Sequence, residues 1–442
     1  MPARPHASTR PLAVPIAALM SVAMMLASAA PAWAAPARTA RVSVNSADRQ
    51  SNGGSSGPST SAGGRFVVFE SLASNLVKGD TNGAPDVFIR DRKTTTTTRV
   101  SVNSNERQGN GGSYSAQISA DGRFVAFMSD ASNLVPRDTN GLTDIFVRDL
   151  LAGTTRRVSV RSSGSEANGA SFDPAVSADG RFIAFKSNAS NLVAGDTNAT
   201  SDILVRDLRA GTTTRVSVRS NGDQGNGSSA VPSISADGRF VAFQSNASNL
   251  VAGDTNAAGD IFVRDRQRNT TARVSVRTDG GEGNDESSAA DISDDGRFVA
   301  FGSYATNLVG GDSNSALDVF VRDRRARTTA RVSLSSGGVQ ADSANSNPTI
   351  SGDGRFVAFE SLASNLVGGD SNGTWDVFVR DRRAKTTKRL SVSSGGAQGD
   401  GISFDAWFSA DGHFVAFISA ATDLVPSDTN GVDDIFIRGP LG

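Results

Sequence analysis

One stretch recurs seven times at an unvarying interval of 58 residues, and no other feature constrains this chain as tightly. The copy at residues 234–277 reads ISADGRFVAFQSNASNLVAGDTNAAGDIFVRDRQRNTTARVSVR. The phenylalanine that follows its D-G-R turn falls at Phe66, Phe124, Phe182, Phe240, Phe298, Phe356 and Phe414. An internal period of this length describes a single architecture built from stacked copies, and overrides the two or three domains that 442 residues would otherwise suggest.

Each copy reads as four strands. Around Phe240 they are a (Val231–Ser235), b (Arg239–Ser245), c (Asp260–Arg264) and d (Ala272–Arg277). Ala236-Asp237-Gly238 is an Asp-Gly hairpin turn between a and b. Strands b and c are nearly continuously apolar, the pattern of a sheet covered on both faces. A lone four-stranded sheet cannot cover two apolar faces, but copies packed around an axis cover one another. The expected fold is therefore all-β: a seven-bladed β-propeller with four antiparallel strands per blade. The d-type RVSV also appears at Arg41–Val44, before the first complete copy, whereas the last c-type strand, Asp434–Arg438, is followed only by GPLG. The N-terminal segment is thus predicted to complete the last blade and close the ring.

Residues 1–34 read as a secretory signal, with Arg4 and Arg10 ahead of an apolar core and Ala32-Trp33-Ala34 as the cleavage signal. Residues 35–442 are then one propeller domain. The expectation is a secreted or cell-envelope protein, periplasmic if the cell has an outer membrane. It has no membrane span after cleavage, and it is a monomer. The chain has no cysteine and only two histidines, His6 and His413, which leaves no disulfide, thiolate metal site or Ser-His-Asp arrangement. Its formal charge is −1, and arginines alternate with aspartates in the VRDR segments, so nucleic acid is not an expected partner.

Strand alternation puts the short a–b and c–d turns on one face of the disc and the long b–c and d–a loops on the other, where binding is expected. Each b–c loop carries D-x-N-x-x-x-D: Asp80, Asn82, Asp86; Asp138, Asn140, Asp144; Asp196, Asn198, Asp202; Asp254, Asn256, Asp260; Asp312, Asn314, Asp318; Asp370, Asn372, Asp376; and Asp428, Asn430, Asp434. Two carboxylates and an amide so close together can supply oxygen ligands to Ca²⁺, the one cofactor the sequence suggests. The same residues suit Asx-turns that tie down backbone amides. In the d–a loops, Gln224 and Asn226 can hydrogen-bond a sugar or peptide, or simply form a polar connection. Trp375, in the sixth b–c loop, can stack on a sugar, anchor a protein partner, or pack on its neighbour loop. Trp407 is expected in the core or lining the channel.

The motif S-A-D-G-R-F-V-A-F-x-S followed by D-[VI]-F-V-R-D resembles the WD-like propeller repeat of TolB-type proteins, over all seven copies. The spacing of the Asp/Asn loops is similar to a shortened form of the calcium loops of integrin-type propellers. The TolB resemblance implies a periplasmic or extracellular protein-interaction platform. TolB itself resembles a six-bladed ring with an extra N-terminal domain, whereas this chain has seven longer repeats. The leading expectation is a secreted, non-catalytic scaffold that binds a protein or an extracellular glycan. The alternatives are a calcium-stabilised adhesion propeller and a hydrolase or lyase. Near-identical repeats spread carboxylates evenly, and only Tyr114 and Tyr304 supply phenols, so no catalytic residue stands out.

Overall fold

The computed structural model describes residues 36–441; the expected signal, residues 1–34, lies outside the described residues. Seven four-stranded antiparallel sheets form the blades of a β-propeller. Blade 4 is representative: inner strand a is Ser229–Ile234, b is Phe240–Ser245, c is Asp260–Asp265 and outer strand d is Thr270–Arg273. Blades 1 to 6 follow in chain order from Ser55. Blade 7 takes its inner three strands from the end of the chain and its outer strand, Arg38–Arg41, from the start. There Thr39 pairs with Arg438 and Arg41 with Phe436, so the ring closes as the sequence predicts. Among the described residues, no helix is long and apolar enough to cross a membrane.

Strand boundaries differ from the sequence reading by one to four residues, and two of the differences have a physical cause. Strand d ends at the arginine of RVSV instead of running through it, in every blade including Arg38–Arg41. The reason is Ser275: its hydroxyl donates to Asp260 Oδ1 at 2.6 Å and accepts from the Ile261 amide at 3.0 Å. This draws the chain off the sheet edge, and Val276 pairs instead with Glu282. Strand a begins two residues before the predicted Val231 and contains a bulge between Ala230 and Ser233. The bulge puts Val231 at φ 49°, and the same column holds Gly57, Ser115, Asp173, Ala289, Asn347 and Asp405, all with positive φ. Left-handed backbone at a non-glycine residue costs on the order of 1 kcal/mol, and here it recurs around the whole axis.

The cores lie between blades. Phe243 and Phe262 are cross-strand partners with ring centroids 6.0 Å apart, and both are fully buried. Val241 and Phe243 of blade 4 pack on Ala184, Ile203, Val205 and Val216 of blade 3. Burying each such side chain contributes roughly 1.5–3 kcal/mol. On the short-turn face, the turn glycine of one blade receives the phenylalanine of the preceding blade. Gly238 has φ 69°, and a Cβ there would collide with the Phe182 ring. Around the axis the turns are also joined by amide–carbonyl bonds, Ala62 to Ala120, Ala120 to Ala178, Ala178 to Ala236, Ala236 to Asp294 and Asp294 to Gly352, at 3.0–3.1 Å.

At the end of strand c, Asp265 accepts two bonds from Arg239, at 2.9 and 2.7 Å, and caps the amides of Gln267 and Arg268. The Arg239 bond is the main cause that holds the Asp265 carboxyl down at about 2.

Gly238→Ala is expected to lower stability by about 2–4 kcal/mol, because it strains the turn and displaces Phe182 together. Denaturant unfolding measures this; a loss under about 0.5 kcal/mol would mean the turn and the blade interface relax freely.

Candidate functional site

The residues most regular in sequence form a buried ionic cluster at the root of each b–c loop. In blade 1 the first residue of strand c, Asp86, is fully buried. Ser101 donates to Asp86 Oδ1 at 2.6 Å, and Gln108 Nε2 donates to Asp86 Oδ2 at 2.8 Å and to Asp80 Oδ1 at 2.9 Å. Arg99, the last residue of strand d, lies between the two carboxylates, 3.3 Å from Asp80 and 3.2 Å from Asp86. Asn82 forms an Asx-turn to the Ala84 amide and donates to the Gly109 carbonyl at 3.1 Å. Burial pushes the carboxyls of Asp86, Asp202, Asp260, Asp318 and Asp376 upward, against the serine and arginine bonds that favour ionisation.

The same cluster recurs with Asp138, Asn140 and Asp144 around Arg157, and with Asp196, Asn198 and Asp202 around Arg215. It recurs with Asp254, Asn256 and Asp260 around Arg273, and with Asp312, Asn314 and Asp318 around Arg331. Asp370, Asn372 and Asp376 surround Arg389, and Asp428, Asn430 and Asp434 surround Arg41. In blades 2 and 4 the glutamine is replaced by Glu166 and Glu282, which give the arginine a third carboxylate. The oxygens of Asp254, Asp260 and Glu282 lie within 4.8 Å of one another, close enough to share a metal ion, and Arg273 contacts all three residues.

Gln224 belongs to this cluster, donating to Asp196 and Asp202 at 2.9 Å each. Asn226 bonds the b–c loop of the next blade, through Ser248 Oγ at 3.0 Å and Asn249 Oδ1 at 2.9 Å. The long loops are thus laced to one another. Trp375 is half-buried beside Asp376, and its carbonyl accepts from the Ser403 amide of blade 7 at 2.8 Å.

The side chains that break the repeat gather at the axis. On the long-loop side, the fifth residue of strand b is Glu70, Met128, Lys186, Gln244, Gly302, Glu360 and Ile418 in turn. Glu70 accepts from Ser56 Oγ at 2.8 Å and from the Ser115 amide of blade 2 at 2.7 Å. Glu360 accepts from Ser346 Oγ, from Asn347 and, at 2.6 Å, from the Asp405 amide of blade 7. The Asp405 carboxyl is pushed up to about 7, first by burial and then by the charges of Glu360 and Glu70. Burial and the charges of Asp130 and Glu70 likewise push the Tyr114 phenol up. Asp173 of blade 3 is raised by burial, with Lys186 acting the other way. Leu72, Tyr304 and Leu362, each directly after a strand b, are exposed on this face.

Deeper along the axis is a cavity of about 310 Å³ lined by Gln117, Asp173, Asp291, Asp294 and Trp407 among others. Trp407 is therefore a channel residue, as expected from sequence. Asp291 accepts from Ser233 Oγ at 2.7 Å and from the Ile350 amide at 2.8 Å, which links blades 4, 5 and 6; burial raises its carboxyl to about 6. The Asp294 carboxylate fills the space a Cβ would need at Gly352, where most other blades have alanine. Sequence reasoning passed over Glu70, Glu360, Asp405, Asp173 and Asp291. Their signal was variability: in so regular a repeat, the columns that change are those the scaffold leaves free.

No family model matches this chain, and no curated protein matches it. Solved structures do. An oligogalacturonate lyase in complex with manganese aligns at TM-score 0.52 with 12% identity, covering 92% of this chain and 90% of that one. The β-propeller domain of the trilobed protease from Pyrococcus furiosus, described as having an open velcro topology, aligns at 0.51 with 11% identity over 87% and 95%. A putative TolB from Agrobacterium tumefaciens aligns at 0.42 with 15% identity over 78% and 95%. The lyase and the protease domain, both above a TM-score of 0.5 at 11–12% identity, share with this chain the β-propeller fold.

Arg273→Met removes the cation from among Asp254, Asp260 and Glu282. It is expected to cost about 3–5 kcal/mol at neutral pH, by leaving carboxylates buried and unpaired. Millimolar Ca²⁺ should then raise the melting temperature of the variant and not that of the parent chain. An equal rise in the parent, relative to chelator, would make the unaltered loops calcium sites.

Proposed function

We propose that this chain is an exported, non-catalytic binding protein that takes a protein segment bearing a basic side chain at the axial mouth of its long-loop face. The observation that carries this reading is the convergence of Glu70, Glu360 and Asp405 on the inner strands, where Glu360 is buried and accepts from the Asp405 amide at 2.6 Å and Glu70 accepts from the Ser115 amide at 2.7 Å. Exposed Leu72, Tyr304 and Leu362 lie on the same face. Carboxylates attract the cationic group, and the apolar side chains supply contact area around it. Export rests on the signal-like residues 1–34, and action as a monomer on the closure of the ring within one chain.

Two further readings have specific support. Asp405, held partly protonated beside Glu360, is placed to act as a general acid on a glycan. A calcium-stabilised adhesion propeller keeps the Asp/Asn loops as metal sites, and the chelator experiment above addresses it.

The binding reading predicts a proton linkage. A cation seated against Asp405 favours its ionised form, so affinity for a lysine-bearing peptide should rise as pH increases through about 7. Stability of the free protein should move the other way. Asp405 is raised above its unfolded value of 3.8, so the folded state holds the extra proton and loses that advantage as pH climbs from 3.8 through about 7. Asp405→Asn should flatten both trends, as read by calorimetric titration and by melting at each pH. Peptide affinity that is independent of pH and unchanged in Asp405→Asn and Glu360→Gln would sink the proposal. Loss of glycan turnover in Asp405→Asn would instead favour the enzymatic reading.

A further inference from the structure

The opposite, short-turn face carries a charge segregation that is invisible in the sequence. In sequence the arginines of the VRDR segments alternate with aspartates. In the structure those aspartates turn inward: Asp265, Asp323 and Asp381 are 3%, 7% and 7% exposed. Each is bound by an arginine of its own blade, Arg239 at 2.7 Å, Arg297 at 2.6 Å and Arg355 at 2.6 Å, and each also caps the amides of its c–d turn. The cations that follow them remain outside. Arg268, Arg325, Arg327, Arg383 and Lys385 are exposed on the c–d turns of three adjacent blades, and Lys388 is exposed on the strand d that follows the last of them; among the described residues their side chains form no hydrogen bond or ion pair. The corresponding turn of blade 2 has Leu151 and Ala152 instead.

Nearer the axis on the same face the sign reverses. Asp237, Asp295 and Asp353 are exposed on the a–b turns, where each accepts from the serine two residues before it. A flat anionic surface pressed on this face would meet that inner ring of carboxylates, whereas a narrow chain following the outer rim would not. The aromatic rings beneath the rim are already covered. Phe240 lies between Arg239 and Arg324, and Phe298 between Arg297 and Arg382, each guanidinium within 4.6 Å of the ring centroid. Neither ring is free to stack on bases, as single-stranded nucleic-acid sites require, and Phe356 is buried beneath Arg355.

We propose that the c–d turns of blades 4 to 6 form a docking rim for a linear anionic polysaccharide, which would retain the exported protein on an extracellular or envelope polymer while the long-loop face stays open. Arginine suits the carboxylate or sulfate groups of such a chain, because its planar fork pairs with two oxygens at once.

The test uses the whole chain with dextran sulfate, and neutral dextran as the matched uncharged polymer. Binding to dextran sulfate alone is expected, weakening as salt rises. The triple variant Arg325→Gln, Arg327→Gln, Lys385→Gln should weaken it by about tenfold or more at low salt. A control triple on the long-loop face, Lys78→Gln, Arg137→Gln, Lys186→Gln, should stay within about twofold. In parallel, bound dextran sulfate should protect Lys385 and Lys388 of the unaltered protein from acetylation, and leave Lys78 of a b–c loop reactive. This second measurement decides the matter even if a variant misfolds. Equal losses in the two triples, or equal protection of Lys78, would reduce the effect to diffuse charge and overturn the rim. Tighter binding to single-stranded poly-dT, or to phosphatidylglycerol vesicles, would overturn the choice of polysaccharide.

Discussion

A carboxylate that solvent cannot reach sets the form of every blade. Asp260 and its six counterparts open strand c, and taking an ionised group of that kind out of water costs several kcal/mol unless it is bound on every side. The surroundings meet that requirement in the same way each time. A serine hydroxyl donates from the segment after strand d, an arginine comes from the end of strand d, and a glutamine or glutamate enters from the loop beyond. To deliver those groups the chain must leave the sheet edge early and the long loops must fold onto one another. Ring closure uses the same chemistry: Ser43, Arg41 and Gln50, near one end of the described chain, surround Asp428 and Asp434 near the other. The seam of the ring is therefore built like any other blade.

The second constraint acts between blades. Six of the seven turn glycines accept a phenylalanine ring from the preceding blade, and each sheet lays one apolar face on its neighbour. A residue that changed the thickness of one blade would disturb both interfaces, which accounts for a period that never slips. Freedom to vary is left outside the apolar interfaces between blades: at the inner strand and the fifth residue of strand b near the axis, where polar bonds join the blades, and at the tips of the c–d turns at the rim. Those are the places where the chemistry differs from blade to blade, carboxylates at the axial mouth and cations along one arc.

The two faces consequently offer different surfaces. On the long-loop side Glu70, Glu360 and Asp405 converge near the axis, with exposed apolar side chains on the same face, while the short-turn face carries an acidic inner ring and a basic outer arc. On the two proposals above, a single disc would hold one partner at its axis and another at its edge.

Much of this was legible from the residues alone. The period, the Asp-Gly turns and the apolar runs of b and c specify a seven-bladed ring, because those runs need cover on both faces and only copies of themselves can supply it. The lone RVSV before the first repeat predicted how the ring closes. Strand d was read too far along, since alternation in RVSV looks like a strand and the pull of Ser275 on Asp260 acts across the sheet. The Asp/Asn loops were visible as oxygen-rich turns, but the arginine between their carboxylates comes from another strand, and a linear motif carries no sign of it. Asp265 and Arg268, three residues apart, look like neighbouring charges that cancel; only the fold, by burying one against Arg239 and exposing the other, separates them. Sequence determined the blade, because each strand's hydrophobicity is local. Tertiary structure alone decided which polar groups neutralise one another and which are left facing solvent, because those pairings join residues that the chain keeps apart.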